Sequence, residues 1–217
     1  MSHSPFIVPF DQLPDTLPIF PLPGAIVMPG SELPLNIFEP RYLNMVSDAL
    51  SKHRMIGMIQ PDPNAKGDVE LCRTGCAGRI TQYRETSDGR IELVLVGVCR
   101  YDLGEELPTT RGYRLIVPRW SRFADDYKDD SDVLRNAHSL LIKTLQGYFR
   151  TEGMDVDWTM LERLSTVKLI NSMSMALPLS EADKQVLLET VQPAERLDTF
   201  IAILDTVFRS PGSATRH

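Results

Sequence analysis

Nine of the 16 prolines lie within the first 40 residues, and that crowding limits what this part of the chain can become. Proline has no N–H to give a helix or a strand ladder, so prolines this close together exclude helix and suit short strands at the ends or edges of a sheet. The runs they separate are apolar: Leu17–Leu22, Ala25–Met28 and Leu33–Phe38. These predict short strands, with Leu17–Leu22 and Leu33–Phe38 as edges. The same prolines interrupt any signal or membrane helix, and no later run reaches the ~18 apolar residues of a span. Three cysteines, Cys72, Cys76 and Cys99, make an odd number that speaks against a disulfide framework. The expectation is a soluble, cytoplasmic protein with no membrane association.

Glu39-Pro40 opens a helix over Pro40 to Ser51, because proline is accommodated at the first helical position and an acid there meets the helix dipole. Tyr42, Leu43, Val46 and Leu50 form its apolar stripe. Strand signals follow at 54–60, 69–83, 91–103 and 111–120. The second and third of these flank Ser87-Asp-Gly-Arg90, a hairpin turn in which Gly89 takes positive φ. In the third, Ile91, Leu93, Leu95 and Gly97 point one way and Val94, Val96 and Val98 the other. Apolar residues on both faces imply cover on both sides, as in a small closed barrel or a sheet under a helix.

Phe123–Ser131 is short, polar and acidic, which predicts a solvated linker; beyond it the period becomes helical. Val133, Leu134, Ala137, Leu140, Leu141, Leu145 and Tyr148 trace one helix face ending near Gly153. A second helix is expected from Asp157 to Met175. A third is capped by Ser180, and a fourth starts at Pro193 with Leu197, Phe200, Ile201, Leu204, Val207 and Phe208 as its stripe. The fold class is therefore α+β: a β-barrel carrying one helix, followed by a C-terminal α-helical bundle. The expected divisions are a flexible arm at 1–14, the barrel at 15–123, the bundle at 124–210 and a tail at 211–217.

Chemistry is sparse. There is no P-loop, no Gly-x-Ser-x-Gly elbow, no His-Glu-x-x-His and no dinucleotide fingerprint, so no cofactor is expected. Ser165-Thr-Val-Lys168 has the Ser-x-x-Lys spacing of serine acylases, but it lies on an amphipathic helix with no oxyanion loop beside it. Cys72 and Cys76 have a near-zinc spacing without four ligands, since His3 and His217 are terminal and His53 and His138 lack ligand spacing. Both cysteines read better as small buried hydrophobes on a strand, and no metal is expected. The aspartates Asp125, Asp126, Asp129, Asp130 and Asp132 lack the glycine and terminal glutamate of a calcium loop. Met173 and Met175 read as core filler at a helix end. The formal net charge of −6 offers no global footprint for nucleic acid.

The string Leu17-Pro-Ile-Phe-Pro-Leu-Pro-Gly-Ala-Ile-Val-Met-Pro-Gly30, with Leu33-Pro-Leu-Asn-Ile-Phe-Glu-Pro-Arg-Tyr42, resembles the N-terminal, substrate-binding domain of Lon protease. Gly75-Cys-Ala-Gly-Arg-Ile80, Asp88–Gly97 with Arg100, Leu177–Glu189 and Ala194-Glu-Arg-Leu197 agree with it, so the resemblance spans about residues 15 to 210. It implies a PUA-like barrel and a stand-alone, non-catalytic protein- or peptide-binding module. Neither the ATPase P-loop nor the Ser–Lys protease domain of full-length Lon occurs in the sequence. The implied partners are unfolded or misfolded proteins or peptides and an ATP-dependent protease. Phe38, Arg41 and Tyr42 are the candidate peptide-binding residues; the plainer role for Arg41 is to pair with Glu39 and hold the helix start. The cleft between barrel and bundle is the default ligand site. The alternative is an RNA-binding PUA-like module using Arg111, Arg114, Arg119 and Arg122, against which the acidic charge weighs.

Overall fold

The computed structural model describes residues 8–62, 70–128 and 133–209, with side chains to 206 at the C-terminal end. The expectations for His3, the strand start at Val69, Asp129, Asp130 and Asp132, the side chains of Val207 and Phe208, and the tail lie outside the described residues. Seven strands form one mixed sheet: β1 (Leu17–Pro21), β2 (Glu32–Ile37), β3 (Met55–Ile59), β4 (Thr74–Glu85), β5 (Ile91–Asp102), β6 (Glu106–Leu107) and β7 (Arg114–Ile116). Their order is β2-β5-β4-β3-β1-β7-β6. Strands β2 and β6 end the sheet without pairing to each other, so the expected closed barrel is an open sheet among the described residues.

Strand β1 corrects the expectation that both proline-rich strands are edges. It lies inside the sheet, parallel to β3 and antiparallel to β7. The two pairings are staggered: Pro18 is matched only with Leu115 of β7, and Pro21 only with Ile59 of β3. Only Ile19 has partners on both sides, so neither proline has to serve two ladders. Strand β2 is an edge as expected. Gly97 N–H donates to Ser31 O, and hydrogen-bonded pairs alternate along antiparallel strands. Leu33 and Leu35 therefore turn their backbone groups to β5, while Glu32, Pro34 and Asn36 turn theirs outward. Pro34 removes a donor from the middle of that open edge, which is how edges are kept from pairing with other chains.

The hairpin between β4 and β5 forms as predicted, with Gly89 at φ 80° and its N–H on Thr86 O. The β5 faces are less evenly covered than the pattern implied. Leu93 and Leu95 are buried but Val94 and Val96 only half so, while Cys99 to Asp102 are all buried. The segment before β2 is the reason for Gly97. A Cβ there would lie 2.1 Å from Met28 O.

Helix α1 (Pro40–Leu50) buries Tyr42, Met45, Val46 and Ala49 against one sheet face, with Phe20, Ile56, Met58 and Leu95. The other face carries Leu17, Ile19, Ile59, Tyr101, Ile116 and Phe123. Phe123 is fully buried, on a 3-10 turn at Ser121–Tyr127 where a linker was expected, and the strand expected over 111–120 is confined to Arg114–Ile116.

The helices are α2 (His138–Thr151), α3 (Trp158–Leu161), α4 (Thr166–Ala176), α5 (Glu181–Glu189) and α6 (Pro193–Arg209). The single helix expected over Asp157–Met175 is broken. Asp157 caps α3 through Thr159 N–H, and Ser165 starts α4 anew by accepting from Lys168 N–H. Helix α2 starts later than predicted, because Leu134 takes a left-handed φ of 61° before a 3-10 turn at Arg135–Ala137. Val133 and Leu140 are exposed rather than core. Leu141, Leu145, Tyr148, Leu169, Ile170, Leu187, Leu197, Phe200 and Leu204 make the bundle core.

Sheet and bundle meet through charge and hydrogen bonds. Helix α5 ends without a glycine cap, and three arginines satisfy its last carbonyls. Arg100 Nη1 donates to Leu188 O (3.0 Å) and Thr190 O (2.6 Å), and Arg122 Nη2 to Glu189 O (2.9 Å). Arg196 donates to Thr190 O and Val191 O. Beside them, Gln60 Nε2 donates to Glu181 O, Gln185 Nε2 to Thr74 O, Lys184 Nζ to Gly24 O and Asn171 Nδ2 to Pro29 O.

Candidate functional site

Among the concave sites of the described residues, two hold the residues and the cleft that the sequence pointed to. The first lies at the start of α1, where Pro21, Pro23, Arg41, Tyr42, Tyr113 and Arg114 line a cavity of about 300 Å³. Pro40 at the first helical position fixes the chain direction, so Arg41 stays at the surface while Tyr42 turns inward onto Phe20, ring centroids 4.2 Å apart. The Arg41 guanidinium lies 4.6 Å from the Tyr42 ring centroid and 2.9 Å from a Glu39 carboxylate oxygen. Burial raises the Tyr42 phenol, opposed by Arg41. Tyr113 is pushed up to about 12 by burial and by its 2.8 Å bond to the Asp48 carboxylate, so both phenols stay neutral donors at physiological pH.

The structure thus brings Arg41 and Tyr42 to one cavity, and the Glu39–Arg41 pair is present as well. Phe38 does not join them. It is 61% exposed, beneath Arg90 at 5.8 Å. Proline and aromatic walls with guanidinium groups beside them suit an apolar or aromatic side chain of an extended segment, whose carbonyls a guanidinium can meet.

The second site is the cleft between sheet and bundle, also about 300 Å³, lined by Arg100, Asp126, Lys168, Asn171 and Arg196 among others. Arg100, 2% exposed, grips Asp126 with Nε (3.0 Å to Oδ2) and Nη2 (2.6 Å to Oδ1). Its own backbone N–H donates to Oδ2 at 2.9 Å. Asp126 therefore is not part of a solvated linker; its side chain is buried because a buried cation requires it. Sequence reasoning missed Arg100, Asp126 and Arg196 as a group. The available signal was a single arginine inside the apolar run 91–103, which a buried strand tolerates only with a partner.

Other candidates resolve into structure. The Ser165 hydroxyl caps α4 by accepting from Lys168 N–H, and the Lys168 side chain is exposed. The three cysteines are buried free thiols. Burial raises Cys76 and Cys99, and pushes Cys72 up to about 11. Cys72 precedes β4 rather than lying on it. No group of three or more metal-ligating side chains occurs among the described residues. Met175 turns its sulfur to Met28 N–H. Three arginines of the stripe are in ion pairs, Arg111 with Asp48, Arg114 with Glu106 and Arg122 with Asp102, while Arg119 is exposed. No described helix is long and apolar enough to cross a membrane.

Residues 16–206 match the ATP-dependent protease La (LON) substrate-binding domain. The chain belongs to this family. It is 25% identical over 207 residues to the Lon protease of Parabacteroides distasonis, an alignment covering 92% of this chain and 25% of that protein. A Lon protease of Dictyoglomus thermophilum is 25% identical over 200 residues, again about a quarter of its length (24%). The chain thus spans about a quarter of the length of these two curated Lon proteases. Among solved structures, the Lon N-terminal domain protein from Xanthomonas campestris superposes with a TM-score of 0.64 at 25% identity, covering 86% of this chain and 97% of that one. The N-terminal domain of Mycobacterium avium complex Lon protease gives 0.66 at 19% identity over 88% of this chain and 98% of its own, a likeness of fold.

Proposed function

We propose that this LON-family chain is a non-catalytic recognition module that binds exposed segments of unfolded or misfolded proteins and works beside an ATP-dependent protease. The family match over residues 16–206 carries this reading. The α1 cavity supports it: Arg41, Tyr42 and Tyr113 give a segment an aromatic wall and charged donors on a rigid helix start. In this reading 15–123 and 124–210 act as two units, the first a PUA-like scaffold, and clients lie along the surface leading from the α1 cavity.

The test is fluorescence anisotropy of labelled, reduced and carboxymethylated α-lactalbumin titrated with the protein, beside assays for peptide and ATP hydrolysis. Saturable binding at tens of micromolar or tighter, roughly 6 kcal/mol or more, is expected with no hydrolysis of either. Absence of binding in that range overturns the reading.

A further inference from the structure

The cleft between sheet and bundle reverses the charge of the molecule. In a chain of net charge −6, it is lined by Arg100, Lys128, Lys168 and Arg196 against only Asp125 and Asp126. Both carboxylates are already engaged: Asp126 is held by Arg100, and Asp125 lies 2.8 Å from Lys128 Nζ. Arg196 is 3% exposed, and its hydrogen bonds among the described residues go to neutral oxygens of Thr190, Val191 and Asn171. Burying a cation without a carboxylate partner of its own is costly, and that cost falls when an anion enters the cleft beside it. Burial and the neighbouring Arg100 pull the Arg196 proton affinity down to about 9, which leaves it cationic at neutral pH.

The rest of the lining narrows the anion. Gly30 N–H is taken by Gly97 O, and Lys168 N–H by the Ser165 hydroxyl. These amides are unavailable to cradle a phosphate. Val98, Val167 and Val191 stand beside the charges, giving an apolar flank. One buried cation with such a flank matches a monoanion attached to an apolar side chain. A cleft of about 300 Å³ is at the small end of ligand sites, with room for a chain end rather than a folded surface.

We propose that this cleft receives the C-terminal carboxylate of a client segment, with Arg196 in its floor and Lys168 at its mouth. This rests on the chain being a binder of protein segments, and names one chemical feature such a segment presents.

The test compares three N-terminally fluorescein-labelled apolar decapeptides by anisotropy at low salt. One has a free C-terminal carboxylate, one a C-terminal amide, and one the amide with a glutamate in mid-sequence. The acid is expected to bind about tenfold more tightly than either amide, the scale of one charge-assisted hydrogen bond. Lys168→Glu is expected to erase that preference. Glutamate three residues after the Ser165 cap completes a capping box, so the variant keeps its fold, which a thermal melt checks. Equal binding of acid and plain amide overturns the proposal. So does equal binding by the internal glutamate peptide, or displacement by inorganic phosphate as effective as by acetate. If the peptides fail while unfolded α-lactalbumin still binds, the carboxylate site falls and the recognition function stands. If nothing binds, both fall.

Discussion

The sheet and the bundle are built alike inside and joined differently. Each buries apolar side chains: Leu17, Ile19, Met58 and Leu95 in the sheet, Leu141, Leu145, Leu169 and Phe200 in the bundle. Between them only a few apolar groups cross, Leu188 above all, and the rest of the contact is directional: Arg100, Arg122 and Arg196 on the end of α5, with Gln60, Gln185 and Lys184 along it. Apolar contact is indifferent to orientation, whereas a guanidinium on a carbonyl fixes one. The comparison teaches that cohesion and geometry have separate sources here. The cores keep each half folded, and the polar seam sets the shape of the cleft.

The two tryptophans let this contrast be broken, because Trp120 packs against Tyr101 of the sheet and Trp158 against Phe149 of the bundle. Variants keeping one tryptophan each report one half by fluorescence during urea unfolding, and the two transitions should coincide. Arg100→Leu leaves the Asp126 carboxylate buried without its cation and takes the guanidinium from Leu188 O, so a loss of about 3–5 kcal/mol is expected, with the transitions drawn apart. Coincident transitions in that variant would show that apolar contact alone couples the halves. Phe200→Ala should cost about 3–4 kcal/mol in the Trp158 signal and, in the Arg100→Leu background, leave Trp120 unmoved. Gly97→Ala presses a methyl onto Met28 O and should cost about 2–3 kcal/mol, read by Trp120.

The thiols sharpen the comparison from the sheet side. Moving Cys72 from its ordinary 9.0 to about 11 predicts iodoacetamide alkylation at pH 8 that is slower than for the unfolded chain by roughly 100-fold, measured by mass spectrometry. The sign for stability follows. Folding raises these pKa values, so the stability the neutral thiols confer is intact below about pH 9 and falls as the pH rises past it. The smallest effect expected on stability is from Arg41→Ala, an exposed ion pair worth less than about 1 kcal/mol. The same variant should weaken binding of unfolded α-lactalbumin several-fold; unchanged binding would move the client surface away from α1.

What the sequence disclosed was local. Pro40 after Glu39, the hairpin at Ser87–Arg90 and the cap at Ser180 each act over a few residues, and each is where it was expected. Ser165 was visible too, set aside as a nucleophile but placed inside one long helix, when its hydroxyl's work is to start a new one. Periodicity could not show the turn before α2, since Leu134 keeps the apolar rhythm while leaving helical φ. The place of β1 inside the sheet depends on a stagger between two partners distant in sequence. The candidate pocket was half legible: Arg41 and Tyr42 share it, Phe38 does not. The cleft's charges were not, because Arg100, Asp126 and Arg196 converge only after the sheet, the 3-10 turn and α6 are in place.

Strand β1 also imposes an order of events on synthesis. Its second partner, β7, leaves the ribosome roughly a hundred residues later, on the order of 5–20 s at ordinary translation speed. Through that wait the new strand has a side unclaimed, the circumstance in which nascent chains stick to one another. Two of its five residues are prolines, so it is a poor template for any stranger that arrives before its own neighbour does.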